Sequence, residues 1–152
     1  NMPTELQTMV ENCSLLVETA KLLNIPVIVT EHFPVELGET IPEIAQHFGT
    51  TKPLAKTTNS AFKNDGFKAR LQKNRPQIFL IGLEAHRCVQ QTALDLIAND
   101  WEVYVIDDAV ISHQTINKKT ARQPTPHSSS SKIKKTFRKI WCQKRSRAWM
   151  VG

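Results

Sequence analysis

The sequence predicts a three-layer α/β/α fold around a mostly parallel, Rossmann-like sheet. Three observations carry that expectation. Helical apolar periods alternate along the chain with short strand-like runs, in the order helix, strand, helix, strand, helix, strand. That order implies parallel strands joined by right-handed crossovers. The run Val27-Ile-Val-Thr30 is apolar on both faces, as a strand covered by helices on both sides requires. Finally, Ile78 to Leu94 reads as apolar strand, turn at Gly82 and helix, with Cys88 at the helix entrance. α/β folds use that arrangement to hold a nucleophile at the carboxyl end of a buried strand.

The first helix begins near Thr4, where Thr4 and Gln7 have the spacing of a capping box. Leu6, Met9, Val10, Cys13, Leu16, Val17, Ala20 and Leu23 then mark one helical face, which makes Cys13 a core residue. Asn24 and Pro26 stop it. The strand Val27–Thr30 follows, with Glu31, His32, Phe33 and Pro34 read as the loop at its end. Residues 35–50 read as loop with a short helical turn after Thr40, where His47 is a surface or packing residue. Asp65 caps a second helix that carries Phe67 and Leu71 and ends near Asn74, before Arg75-Pro76. Ile78–Leu83 is the second strand, Cys88–Asn99 the third helix, and residues 101–107 the third strand, with Asp108 and Ser112 as turn formers.

With 152 residues, this part of the chain is long enough for one domain with a sizeable core. Charge is unevenly spread. Residues up to Asn117 hold nine Lys+Arg and fourteen Asp+Glu; from Lys118 onward there are eleven Lys+Arg and no acid. The basic balance belongs to the tail; a uniformly basic domain would suggest nucleic acid, but a basic tail on an acidic body suggests an appendage. Cys13, Cys88 and Cys142 are scattered without C-x-x-C spacing, which argues against a disulfide framework or a zinc site and suits a reducing, cytoplasmic compartment. No apolar run is long enough for a membrane span and no signal peptide is visible. The abrupt start at Asn1 reads as a fragment.

Cys88 has two readings on these features: a small buried side chain, or a reactive sulfur at a helix entrance. The macrodipole and free N–H groups of a first turn favour an anionic sulfur, and His86 and Arg87 add positive potential. Lys56, set before Thr57-Thr-Asn-Ser60, is by spacing alone a solvated charge. Glu31-His32 offers an acid/base or metal pair, but no third ligand stands at sensible spacing.

Two segments, Lys56-Thr-Thr-Asn-Ser-Ala-Phe62 and Gly82-Leu-Glu-Ala-His-Arg-Cys88-Val, resemble signatures of the isochorismatase-like cysteine hydrolases, most nearly the branch of isochorismatase domain-containing proteins. Leu23 to Glu31 and Val103 to Ala109 resemble the same branch, so the similarity spans about Glu5 to Ser112. The resemblance implies an Asp-Lys-Cys triad, with Cys88 as nucleophile and Lys56 beside it. It implies a small amide-like substrate, an acyl-enzyme released by water, and an oxyanion hole of backbone N–H groups near the cysteine. That hole falls on Cys88 and, preceding it, Leu83, Glu84 and Ala85, with a cis peptide at Leu83–Glu84, and Glu31 joins the substrate-side residues. The complete family protein is expected to be a homo-oligomer. The nicotinamidase branch holds a metal in an Asp/His cluster; Glu31-His32-Phe33-Pro34 does not supply it, so neither metal nor other cofactor is expected.

The sequence departs from the pattern in two places. The family's Asp lies at the end of a first strand, ahead of the first helix, and no residue here matches it. Weak or absent activity is the expectation, with the Val27 and Ile78 strands deprived of a central neighbour. At the other end, residues 1–117 read as the hydrolase domain, incomplete at both ends and lacking the family's first and last strands, and residues 118–152 as a basic tail. Lys132 to Trp149 has helical apolar steps with a basic opposite face. Either it is an appendage for RNA or anionic membrane, the non-catalytic alternative, or out-of-frame sequence without a selected role. Some relatives carry a ribonuclease label, but no histidine pair or metal cluster here supports phosphodiester chemistry.

Overall fold

The computed structural model describes residues 4–112 and 147–151. Helix α1 spans Thr4–Leu22 and buries Met9, Val10, Cys13, Val17 and Ala20, the face the apolar period marks. Gln7 donates to Glu11 instead of closing a capping box. Asn24 takes a left-handed φ of 52°, and the Ile25 N–H reaches back to the Ala20 carbonyl at 2.8 Å, which satisfies a terminal acceptor and turns the chain into the sheet.

Strand β1 is Val27–His32, two residues longer than expected. Glu31 and His32 are ladder residues opposite Ala55 and Lys56 of β2, a three-residue strand over Leu54–Lys56 that the sequence did not announce. Two one-turn helices, α2 (Pro34–Leu37) and α3 (Pro42–Ala45), fill the connection. His47 packs there with Nδ1 3.0 Å from the Glu18 carboxylate. A 3₁₀ turn over Ala61–Lys63 leads to α4, Asp65–Arg70. Its cap is Asn64, whose side chain accepts the Phe67 N–H, so Asp65 lies inside the helix, which ends before Leu71 rather than near Asn74. Strand β3 is Gln77–Leu83, helix α5 is Gln90–Ala98, and β4 runs over Glu102–Ile111, four residues past the expected end.

The remaining strand overturns two expectations. β5, Arg147–Val151, lies between β1 and β3 in the sheet order β2-β1-β5-β3-β4, and every pairing is parallel. The slot expected to stand empty is therefore filled by the chain's own later segment, and residues 147–149 of the expected basic helix are strand. Two buried strands facing an open gap leave two rows of backbone groups unbonded. A five-residue strand satisfies both rows at once, which outweighs a weak helical period. The rest of the expected tail, Cys142 included, lies outside the described residues.

Alternation along β3 builds the three layers. Phe79 and Ile81 join Val29, Ile106 and Ala109 beneath α1, with Ile44 and Phe48 beside them. Ile78 and Leu80 join Ile28, Val103 and Val110 on the opposite face, against Phe67 of α4 and Ala93 and Leu96 of α5. Parallel strands put their carboxyl ends on one edge, where the site lies.

Candidate active site at the carboxyl edge of the sheet

Lys56 is the last residue of β2 and is only 4% exposed. A buried ammonium needs an acceptor for each of its three N–H groups. Nζ donates to the Thr58 carbonyl at 3.2 Å, the Asn59 carbonyl at 3.3 Å and Cys88 Sγ at 3.3 Å. The Thr-Thr-Asn segment thus curls around the lysine head and turns it toward the sulfur.

Cys88 reaches that point on a local irregularity. Residues Ala85–Val89 form a π-helical turn, marked by the Val89 N–H bonding the Glu84 carbonyl at 3.3 Å, before α5 continues as ordinary α-helix. The wider turn carries Cys88 half-exposed between the buried Ala85 and Val89. Thr92 fastens it. Its hydroxyl donates to the Cys88 carbonyl at 2.6 Å and accepts the Ala61 N–H at 2.9 Å, while the residue is 2% exposed. One hydroxyl therefore ties the cysteine turn to the segment that holds Lys56. Sequence reading passed over Thr92; its spacing of four from Cys88 on a helix was the available signal.

The expected residues do not all converge. Lys56 and Cys88 meet. Ala85 is buried at the mouth of the π turn. Leu83 is 49% exposed and points away from the core. Glu84 sits at φ −15°, ψ 98°, with its carboxylate 3.2 Å from His86 Nδ1, which also lies 3.1 Å from Ser112 Oγ. The peptide at Leu83–Glu84 is trans, as are all the described peptides; Gly82 at φ 118° takes up the turn instead. Glu31 faces another partner: Oε1 accepts both the N–H and the hydroxyl of Thr40, at 2.9 and 2.7 Å, and so pins the segment after α2. His32 edges onto Phe33 at 4.7 Å between ring centres. Desolvation first, then the positive charges of Lys56 and Arg87, hold its imidazole below the usual histidine range. Among the described residues no group of three or more His, Cys, Asp or Glu side chains is gathered as for a metal.

A cleft of about 540 Å³ is lined by Thr57 and Arg87, the chain neighbours of Lys56 and Cys88, though not by that pair themselves. Its other lining residues are His32 and Phe33 from the end of β1 and after it, Thr58 to Ser60 and Lys63, and His86 and Gln91. Its size falls within the range of small-molecule sites.

The fold and the site define a class: a three-layer, Rossmann-like α/β protein with a lysine–cysteine pair at the carboxyl edge of a parallel sheet. Residues 2–123 match the isochorismatase domain, and the chain belongs to that family. It is 34% identical over 122 residues to a secreted isochorismatase effector of Phytophthora sojae, covering 77% of this chain and 58% of the relative. It is 34% identical over 110 residues to isochorismatase domain-containing protein 2 of Danio rerio, covering 72% and 55%. Among solved structures, a MAR1 ribonuclease from Caenorhabditis elegans superposes with TM-score 0.67 at 31% identity, over 76% of this chain and 59% of that one. An octameric hydrolase of unknown specificity from Escherichia coli also gives TM-score 0.67, at 26% identity, over 79% and 59%. The chain thus spans between half and three-fifths of the length of these proteins. No described helix is long and apolar enough to cross a membrane.

Proposed function

We propose that residues 1–117 carry a cysteine-nucleophile hydrolase site for a small amide-like substrate. The observation behind the reading is the 3.3 Å contact between Lys56 Nζ and Cys88 Sγ. In this reading the Cys88 thiolate attacks the substrate carbonyl carbon, and an Sγ–C bond forms. The resulting oxyanion takes its hydrogen bonds, in the same reading, from backbone N–H groups of the turn that leads into Cys88. The C–N bond then breaks, and the amine leaves with a proton from Lys56. Water cleaves the thioester, the acid departs, and the proton returns to the pair. Lys56 sits where it can pass that proton, because its three donors end on two carbonyls and the nucleophile. Glu31 acts at one remove, as a positioning residue that holds Thr40.

The second half of the cycle is the weak half. No carboxylate is among the partners of Lys56 Nζ within the described residues, so no acidic partner steadies the lysine's charge as it takes the proton of the attacking water. The expected behaviour is acylation followed by slow release. Incubation with p-nitrophenyl acetate should give about one equivalent of p-nitrophenol, an acetyl group on Cys88 by peptide mass spectrometry, and little further turnover. Cys88→Ser should abolish the burst. A burst that survives that substitution sinks the nucleophile reading, and sustained rapid turnover of a small amide sinks the slow-release part.

A further inference from the structure

The chain between β4 and β5 has its course set by the strands it joins. β4 is the edge strand, β5 lies two places in with β3 between them, and the pairings are parallel. Residues 113–146 therefore leave the carboxyl edge of the sheet and return to its amino edge across one face. Handedness chooses the face, because crossovers between parallel strands are right-handed in about 98% of cases. The connections from β2 to β3 and from β3 to β4 both move towards the β4 edge, and they carry α4 and α5 over one face. The connection from β1 to β2 moves the other way and puts Ile44 and Phe48 on the α1 face. Going from β4 back to β5 repeats that second direction, so the same rule sends residues 113–146 across the α1 face. α1 has room for them. One flank is occupied: Ser14 donates to the Glu43 carbonyl of α3, and Glu18 meets His47. The opposite flank holds Asn12 against the Asp108 carbonyl of β4. Between these flanks, Leu15 and Leu22 point outward, 61 and 83% exposed, and Glu11 is exposed beside them.

We propose that the outer face of α1 is the docking surface for this chain's own residues 132–141, with Ile133, Phe137 and Ile140 set against Leu15 and Leu22. Charge and spacing both fit. Residues 113–146 hold ten Lys+Arg and no acid, whereas the outer face of α1 carries Glu11 and Glu18. Ile133 and Ile140 stand seven residues apart with Phe137 between them, and Leu15 and Leu22 are also seven apart. Helical stripes of equal repeat can lie along one another, and lysines beside such a stripe cover apolar surface with their stems while their heads reach carboxylates. The basic apolar stretch then has its partner inside the molecule, and it is the piece that carries β5 back to its slot. Neither RNA nor a membrane is needed to cover it.

The test is carbodiimide cross-linking of the full chain, which joins an ammonium to a carboxylate where the two touch. Mass spectrometry of the monomer band should find Glu11 or Glu18 linked to a lysine among residues 132–139. Leu15→Gln combined with Leu22→Gln should lower the yield of those links at least about 5-fold and speed trypsin cleavage within residues 132–145 about 10-fold. Neither leucine belongs to the buried core, so the substituted chain keeps its sheet. Ile133→Gln with Phe137→Gln should have the same effect, and all four substitutions together should add little more, as for two halves of one contact. Absence of the links overturns the docking, as does a yield and a cleavage rate unmoved by the leucine substitutions. Links confined to the dimer band overturn it too, since the face would then join two copies of the chain.

Discussion

Cys13 and Cys88 lie on opposite layers of one sheet, and the same side chain does opposite things there. Cys13, on α1, is fully buried; its sulfur lies 3.4 Å from both Met9 Sδ and the Ala109 carbonyl. Burial, then the Asp108 carboxylate, push its thiol up to about 12. Cys88 is half-exposed at the strand ends, with an ammonium 3.3 Å away. A thiol packed among apolar atoms is an inert filler, whereas a half-exposed one beside a fixed cation has chemistry open to it. The placement that separates them is set by local backbone: a regular helix for Cys13, a π turn for Cys88.

The largest expected effect is the labelling contrast itself. In the folded chain at pH 8, iodoacetamide should modify Cys88 at least about 1,000-fold faster than Cys13, because Cys13 ionises rarely and opens only with the core. Lys56→Met should shrink that contrast by slowing Cys88 alone. Comparable rates at the two sites in the unsubstituted chain would dissolve the comparison.

A smaller effect should follow from loosening the anchor of one site only. Thr92→Val keeps the shape but leaves the buried Ala61 N–H without its acceptor, a cost of about 1–3 kcal/mol. Labelling of Cys88 should slow because its turn loses the bond to the Lys56 segment, and labelling of Cys13 should rise only as overall stability falls. Thermal melts of the variant beside its labelling rates separate the two effects. An unchanged melt and an unchanged Cys88 rate would remove Thr92 from the site.

The smallest effects are in pH. Cys13 keeps its proton when folded but ionises near 9.0 when unfolded, so unfolding releases a proton above that pH. Stability should therefore fall as pH rises from about 9 towards 12, and Cys13→Ala should flatten that limb. His32 works at the other end. Its folded form resists protonation relative to the ordinary histidine value of 6.5, so stability should fall as pH drops below that value, and His32→Gln should flatten the acid limb. Urea midpoints across pH would show both; limbs unchanged by either substitution would mean that other groups set them.

How far the two cysteines could be told apart beforehand depends on the range of the signal. Cys13 was legible because its place in a regular apolar period fixes its face. The position of Cys88 after an apolar strand was legible too, but Lys56 became its partner only through family resemblance, since 32 residues separate them. β2 was missed because three residues give no period to read. The π turn was missed because a five-residue spacing leaves no distinct apolar pattern. Asn64 lost the cap to Asp65 on paper because both are good caps, and only the backbone decides between neighbours.

The placement of β5 has a consequence for how the chain assembles. Its partners lie far back in the sequence: Trp149 pairs with Val27, 122 residues earlier, and Arg147 with Gln77, 70 residues earlier. Local contacts can build α1 with β1, and β3 with β4, before that strand arrives. Without that strand the sheet is two separate pieces, each with a bare inner edge, and the pairings that close it are the most distant in sequence. Closure of this kind raises contact order and slows folding. Until it happens, both inner edges are templates for the strands of other molecules, so the same five residues that complete the sheet also end its exposure to aggregation.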